Sequence, residues 1–372
     1  MSEAPGELLG RVDRELRAYW STPPPAGEMP TAHASTRNLV VVASAQEIAT
    51  RWISIVDEVL QTIPARAIVV GLDPDGPDGM EASSSALCAP GQGGDSAVCS
   101  DRVTLIARGA ACARLQSCVD LLCASDVPTT LVWLGRVHTE DPAFAPLARD
   151  SDRIILDAGQ GSLASLAHVV RWTNALPTAD RPGVADLAWT RLAPWQELCA
   201  RMFDEPRARD LPSRISRIVV AQASTAAASL GSEGGLLIGW IATRLGLKAA
   251  SLAGKLRLVR PNGGNVRLQL RAEPGAAGPR GALRGLEIEA GDGELTLRGT
   301  IACEKEDTDK ALWRCEIERG GERQCIEQRV RLRSGESARL LERTLRRPRY
   351  DDALAESATW ADELRDEEVA CG

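Results

Sequence analysis

Between Thr130 and Phe203 short apolar runs alternate with polar turns: TLVWLGRV is followed by HTEDPAFAPLARDSD and then by RIILDAG. Each run is rich in β-branched and bulky residues and bounded by turn formers, the pattern of a strand buried on both faces of an α/β sheet. GSLASLAHVVRWTNAL has helical spacing. In DLAWTRLAPWQELCARMF two tryptophans flank Arg191, and Pro194 fits a first helical position, where its missing N–H has no partner anyway. The spacing therefore predicts a helix that opens at Pro194 and turns Trp195, Leu198, Cys199 and Met202 to one side.

The same reading extends through the first half of the chain. Leu8, Leu9, Val12, Leu16 and Tyr19 share one helical face, and the proline-rich STPPPAGEMP that follows cannot continue a helix. NLVVVAS reads as a strand, AQEIATRWISIVDEVLQTI as a helix and ARAIVVGLD as a second strand, a βαβ unit whose crossover implies parallel strands. Residues 73–98 lack apolar periodicity and are rich in Gly, Ser, Ala and Pro, so they are expected to be a mobile loop or an insertion between the second and third strands. DRVTLIARG, TTLVWLGRV and RIILDAG supply three more strands, and an open, mainly parallel sheet is expected over residues 36–196.

Beyond the Trp195 helix the period changes. SRIVVAQA reads as a strand and GGLLIGWIATRLGL as a helix, after which KLRLVR, NVRLQLRAE, LRGLEIEA, GELTLRGTIAC, WRCEIE and CIEQRVRLR alternate apolar and polar positions between polar turns. Strict alternation means one covered face and one wet face, hence an antiparallel sheet. Helices from GGLLIGW and from GESARLLERTLRR are expected to cover it. The resulting fold class is α/β, an open mainly parallel domain followed by an α+β domain with an antiparallel sheet. The boundaries are 1–35 for the N-terminal helix and linker, 36–196 and 197–350 for the domains, and 351–372 for an acidic tail forming a short peripheral helix or none.

Composition narrows the partners. The 372 residues carry a net charge of −7, which argues against nucleic acid or an anionic membrane as a partner, since both call for a basic surface. The N-terminal sequence has no apolar signal core, and no run approaches the ~20 apolar residues of a membrane span, so a cytoplasmic protein is expected. In that compartment the ten cysteines read as thiols more readily than as disulfides.

No catalytic set emerges. There is no GxSxG motif, and His33, His138 and His168 fall in a linker, a turn and a helix with no accompanying pattern. GQGGDS has no strand before it, and GSEGGLLIGW lacks the lysine and Ser/Thr of a P-loop. Gly234 opens a helix that offers N–H groups to an anion, although such glycines more often permit close packing. Cys112, Cys118 and Cys123 cannot share a metal at helical spacing, and neither a metal nor a cofactor is expected. Cys88 and Cys99 bracket the glycine-rich loop and can meet as a redox pair. Arg136, His138, Glu140, Asp141, Arg149, Asp150, Asp152, Arg153 and Asp157 gather near two strand ends, with Asp186, Trp189, Arg191 and Trp195 following. These read either as a salt-bridge network around two core tryptophans or as a protein-binding surface, because tryptophan and arginine are enriched at binding hot spots.

LVWLGRV, PLARDSDRIILDAG and DLAWTRLAPWQELCARMF together resemble the OpcA family of glucose-6-phosphate dehydrogenase assembly proteins. The resemblance covers roughly residues 36–350 and is strongest before residue 205. It implies a protein without catalysis of its own that binds glucose-6-phosphate dehydrogenase and promotes its assembly or activation in the oxidative pentose phosphate pathway, supporting NADPH production. The candidate partner-binding residues are then Arg149, Asp150, Asp152, Arg153, Trp189, Arg191 and Trp195, and the resemblance adds weight to Cys88 and Cys99 as a redox pair. The alternative is an enzyme acting on a sugar phosphate or nucleotide at the C-terminal edge of the first sheet, the edge where α/β sheets place their sites.

Overall fold

The apolar runs of the first half lie side by side in one sheet. The computed structural model describes residues 5–21, 31–90, 97–135, 137, 139–224, 230–252, 255–276, 279, 281–332 and 336–370. Its first eight strands are β1 (Thr31–His33), β2 (Asn38–Ser44), β3 (Arg66–Asp73), β4 (Gly79–Pro90), β5 (Ala97–Arg108), β6 (Thr129–Trp133), β7 (Arg153–Leu156) and β8 (Gly183–Asp186). The helices are α1 (Pro5–Ser21), α2 (Ala45–Glu47), α3 (Ile53–Leu60), α4 (Leu115–Leu122), α5 (Phe144–Arg149), α6 (Leu163–Asn174), α7 (Leu187–Arg201), α8 (Ser232–Leu245), α9 (Ser337–Arg346) and α10 (Asp352–Ala370). A π-helical stretch, Ile48–Trp52, joins α2 to α3. Among the described residues no helix is long and apolar enough to cross a membrane.

The chain divides into two units, and the division does not follow sequence order. Unit 1 comprises residues 1–161, 172–186 and 336–350; unit 2 comprises 162–171, 187–335 and 351–372. The N-terminal sheet thus ends at Asp186, ten residues before the boundary that the sequence suggests.

In unit 1 the strand order is β1-β5-β3-β2-β6-β7-β8, all parallel, with β4 antiparallel against the free side of β5. From β2 the chain steps outward to β3 and β5 on one side, then crosses back to β6, β7 and β8 on the other. This is the order of the doubly wound dinucleotide-binding fold, whose ligand lies at the carboxyl edge where the two halves diverge. Leu39, Val40, Val41 and Val42 of β2 and Ala67, Ile68, Val69 and Val70 of β3 are buried, as expected of central strands covered on both faces.

Three expectations need correction in unit 1. Residues 79–90, expected to be loop, form β4, a long strand paired with β5; residues 91–96 of the expected loop and residues 22–30 of the linker lie outside the described residues. The serines and alanines of GMEASSSALCAP hide the alternation because small side chains register weakly as polar or apolar, and α1 packs on this strand, with Arg11 donating to the Ala82 carbonyl at 3.3 Å. His33 stands in β1 and not in a linker; its Nε2 lies 3.0 Å from the fully buried carboxylate of Asp101. Finally, α9, expected to cover the second sheet, belongs to unit 1 and packs on α3.

Unit 2 holds β9 (Ile215–Gln222), β10 (Lys248–Leu252), β11 (Lys255–Val259), β12 (Asn265–Ala272), β13 (Leu283–Gly291), β14 (Leu295–Cys303), β15 (Lys310–Arg319) and β16 (Glu322–Arg331). They lie in the order β10-β11-β12-β9-β13-β14-β15-β16, antiparallel except for the parallel pair β12–β9. One face is apolar, with Leu286, Ile288, Leu297, Ile301 and Trp313 buried, while Arg217, Glu289, Arg298 and Glu316 lie on the other. The acidic tail is a full helix, α10, whose Leu354, Ala358, Ala361 and Leu364 are buried. Its close approach to α8 depends on Gly239, since a Cβ there would stand 2.3 Å from the Ser357 carbonyl oxygen.

Candidate functional site

The charged turn after β6 is split by the fold between opposite edges of the parallel sheet. Asp157 follows β7 at the carboxyl edge, whereas Arg149, Asp150, Asp152 and Arg153 precede or begin β7 at the amino edge. At that amino edge Arg149 is exposed and Asp150 accepts a hydrogen bond from the Gln116 amide. Asp152 accepts from the Thr129 N–H at 2.9 Å and lies 3.6 Å from Arg349, while buried Arg153 donates to the Arg347 carbonyl at 2.9 Å. The segment after α9 therefore runs along this edge. Arg37, at the start of β2, donates to the Leu345 carbonyl at 3.2 Å, and burial together with the charge of Arg346 lowers its pKa. Arg149 and Asp150 face solvent; Asp152 and Arg153 chiefly fix the edge behind them.

Trp189, Arg191 and Trp195 lie on α7, in unit 2. Trp189 and Trp195 are buried, and the Trp189 indole donates to Asp351 at 2.8 Å. Arg191 Nε is 2.8 Å from one Glu233 carboxylate oxygen, and the other accepts the Leu283 N–H at 3.1 Å, so the three residues tie α7, α8 and β13 together. The helix begins at Leu187, not Pro194; the proline is interior and deprives the helix of one bond to Thr190. Arg191 and Glu233 retain 22% and 15% exposure, so Arg191→Ala is expected to cost about 1–2 kcal/mol, below the ~3–5 of breaking a fully buried pair. Urea unfolding measures this, and an unchanged midpoint would mean that the pair holds nothing together.

The carboxyl edge at the β2–β6 divergence is where a dinucleotide fold would bind its ligand. Here the first turn is short and carries no glycine: Ser44 caps α2, accepting the Glu47 N–H at 3.3 Å and donating its hydroxyl to the Glu47 carboxylate at 2.7 Å. A carboxylate thus stands at the helix end where a pyrophosphate would need free N–H groups and no negative charge. The β3 backbone closes on this turn as well, since a Cβ on Gly71 would be 2.8 Å from the Ala45 Cα. Asp73 ends β3, where an acid holds ribose in such folds, and it lies 3.8 Å from Arg108, which also pairs with Glu81 at 2.8 Å. Farther along, buried Asp186 accepts the Ala158 N–H at 2.7 Å and Asp157 the Gly159 N–H at 3.1 Å. Arg136 and His138 lie outside the described residues. None of these contacts was legible without the strand order, although the Ser-x-x-Glu spacing of a capping box stands in the sequence at Ser44–Glu47.

Of the remaining candidates, Gly234 follows Glu233, already at the helix N-terminus, and a Cβ on Gly234 would meet Leu230 and Val220 within 3.1 Å, so this glycine serves packing. Cys88 and Cys99 stand directly opposite each other in the β4–β5 ladder and are joined as a disulfide. Burial pushes the Cys199 thiol up to about 12 and those of Cys123, Cys303 and Cys315 up to about 11, which leaves them un-ionised and unreactive at neutral pH. Among the free cysteines Cys325 is exposed. The described residues contain no group of three or more His, Cys, Asp or Glu arranged to hold a metal ion.

Comparison with known proteins gives two consecutive matches along the chain. Residues 56–171 match the glucose-6-phosphate dehydrogenase subunit N-terminal domain and residues 182–358 the corresponding C-terminal domain of the OpcA models. The chain is 26% identical over 327 residues to a protein of Synechocystis sp. named as the OxPP cycle protein OpcA, covering 81% of this chain and 64% of that one. A Nostoc punctiforme protein of the same name is 29% identical over 198 residues, 51% of this chain and 40% of its own length. The chain thus spans less than two thirds of the length of these curated relatives. Among solved structures, glucose-6-phosphate 1-dehydrogenase from Mycobacterium avium superposes with a TM-score of 0.49 at 13% identity over 89% of this chain and 92% of that one. The 3-ketoreductase KijD10 from Actinomadura kijaniata gives 0.48 at 10% over 88% and 96%. With both halves matched in order by its models, the chain belongs to the OpcA family.

Proposed function

We propose that this chain is a non-catalytic cytoplasmic protein that binds glucose-6-phosphate dehydrogenase and favours its active, assembled state in the oxidative pentose phosphate pathway. The observation that carries this reading is the match of both halves to domains described as those of a glucose-6-phosphate dehydrogenase subunit. Such a protein activates only by binding the active state more tightly than the inactive one. The exposed pair Arg149 and Asp150, held by Asp152 and Arg153 behind them, is the candidate contact in unit 1. Trp189, Arg191 and Trp195 act on binding indirectly, through the shape of unit 2. Cys88 and Cys99 are the candidate redox pair.

A second reading, an enzyme acting on a nucleotide or sugar phosphate, has the strand order in its favour. The Ser44–Glu47 cap weighs against it, since it sets a carboxylate where a phosphate would need free N–H groups. Coupled assays of each protein alone and of the two together separate the readings. The expected result is no turnover by this chain alone and a raised rate in the mixture. A mixture that binds yet shows no change at any substrate concentration removes the activator reading. Saturable NADP+ binding by this chain alone would restore the enzyme.

A further inference from the structure

The last strand of unit 2 is unusually open. β16 closes the sheet on one side and, among the described residues, pairs only with β15. Every residue of it except Val330 is exposed, Ile326 at 43%. The helical layer reaches β15, where the Trp313 indole donates to the Leu198 carbonyl of α7 at 2.9 Å. Beside it a groove of about 310 Å³ is left, lined among others by Met202, Trp313, Cys315, Ile317 and Ile326. Ten residues of strand thus present a row of outward backbone N–H and C=O groups, with no proline and no bulge in the β15–β16 ladder to turn another strand away.

Charges are the remaining protection of such an edge, and their order in EIERGGERQCIEQRVR decides what they admit. Side chains of two antiparallel strands related by a dyad share a face only when the dyad falls on a residue. With the dyad on Ile326, Arg323 meets Arg329; on Glu327, that carboxylate meets its own copy and Arg323 meets Arg331. Both registers set like charges opposite each other. With the dyad on Cys325, Arg323 meets Glu327, but Ile326 is left opposite Gln324. With the dyad on Gln328, Glu327 meets Arg329 and Ile326 meets Val330, each pair occurring twice. That register alone matches charge with opposite charge and apolar with apolar.

We infer that two copies of this chain associate through β16, antiparallel about a dyad at Gln328, making one continuous sheet of their second units. The inference stands independently of any dehydrogenase partner. It is tested on the full chain by sedimentation equilibrium over roughly 1–100 µM, where a micromolar constant is read, with a thermal melt of each variant as the folding control. The wild type is expected to dimerise. Glu327→Arg or Arg329→Glu sets like charges opposite each other twice and weakens the dimer about tenfold or more, and the double exchange restores it. A wild type that stays monomeric, single variants that dimerise normally, or a double variant that is not rescued each overturns the proposal. So does a Cys325–Cys325 crosslink on mild oxidation, which requires the other register.

Discussion

Trp313→Ala is expected to destabilise unit 2 by about 3–5 kcal/mol, the usual cost of emptying a buried tryptophan site. The indole is 3% exposed, donates to the Leu198 carbonyl at 2.9 Å and lies under the Arg201 guanidinium at 4.9 Å. It is therefore the point at which the end of α7 is fastened to β15. Trp313→Phe keeps most of the volume and loses the N–H, so about 1–2 kcal/mol is expected for it. Urea unfolding of both variants gives the comparison. If alanine and phenylalanine cost the same, the hydrogen bond and not the packing holds the helix. The substitution also widens the groove beside β16, so a stability loss must be measured before any change in association is read.

In unit 1 the largest effect is expected from Asp101→Ala, about 2–3 kcal/mol: the Arg66 charge loses its partner but keeps 24% exposure, which places the cost below that of a fully buried pair. Asp101 is fully buried; Arg66 Nη2 approaches it at 3.0 Å and Nε at 3.2 Å, with His33 Nε2 at 3.0 Å from the same carboxylate oxygen. Three strands, β1, β3 and β5, converge on this one carboxylate. Asp101→Asn keeps the shape and loses the charge, so an intermediate cost is expected. Equal melting points for wild type and Asp101→Ala would show that Arg66 is adequately held by its bond to the Leu122 carbonyl at 3.3 Å.

What the sequence shows follows from where apolar side chains are dense. NLVVVAS, ARAIVVGLD, TTLVWLGRV and RIILDAG announce themselves because central parallel strands must be apolar on both faces. β8, GVAD, has only four residues and runs directly into α7, too short for any period to appear. That is why the first sheet was expected to run past Asp186 and why Pro194 looked like a helix start. Trp189 and Trp195 carried an ambiguity that composition cannot resolve, since a hot spot and a core are built from the same residue types. Their burial shows only in the structure, and Asp351, which bonds Trp189, comes 162 residues later in the chain. The amino-edge cluster was legible as charge, but not as one edge, because the turn that looked continuous bridges both ends of β7. α9 has the apolar stripe that predicted a covering helix; which sheet it covers is a property of the chain path and not of the stripe.

That path has a consequence for synthesis on the ribosome. The amino edge of the first sheet is closed by α9 and the residues after it, up to Tyr350. Translation proceeds at roughly 5–20 residues per second, so β8 waits some 10–30 s for the segment that shields its neighbours. During that interval the Leu345 and Arg347 carbonyls to which Arg37 and Arg153 donate have not yet been made, and all of the second sheet is threaded out before the first is finished. The nascent chain therefore exposes a nearly complete parallel sheet with one open rim, the kind of intermediate that chaperones bind.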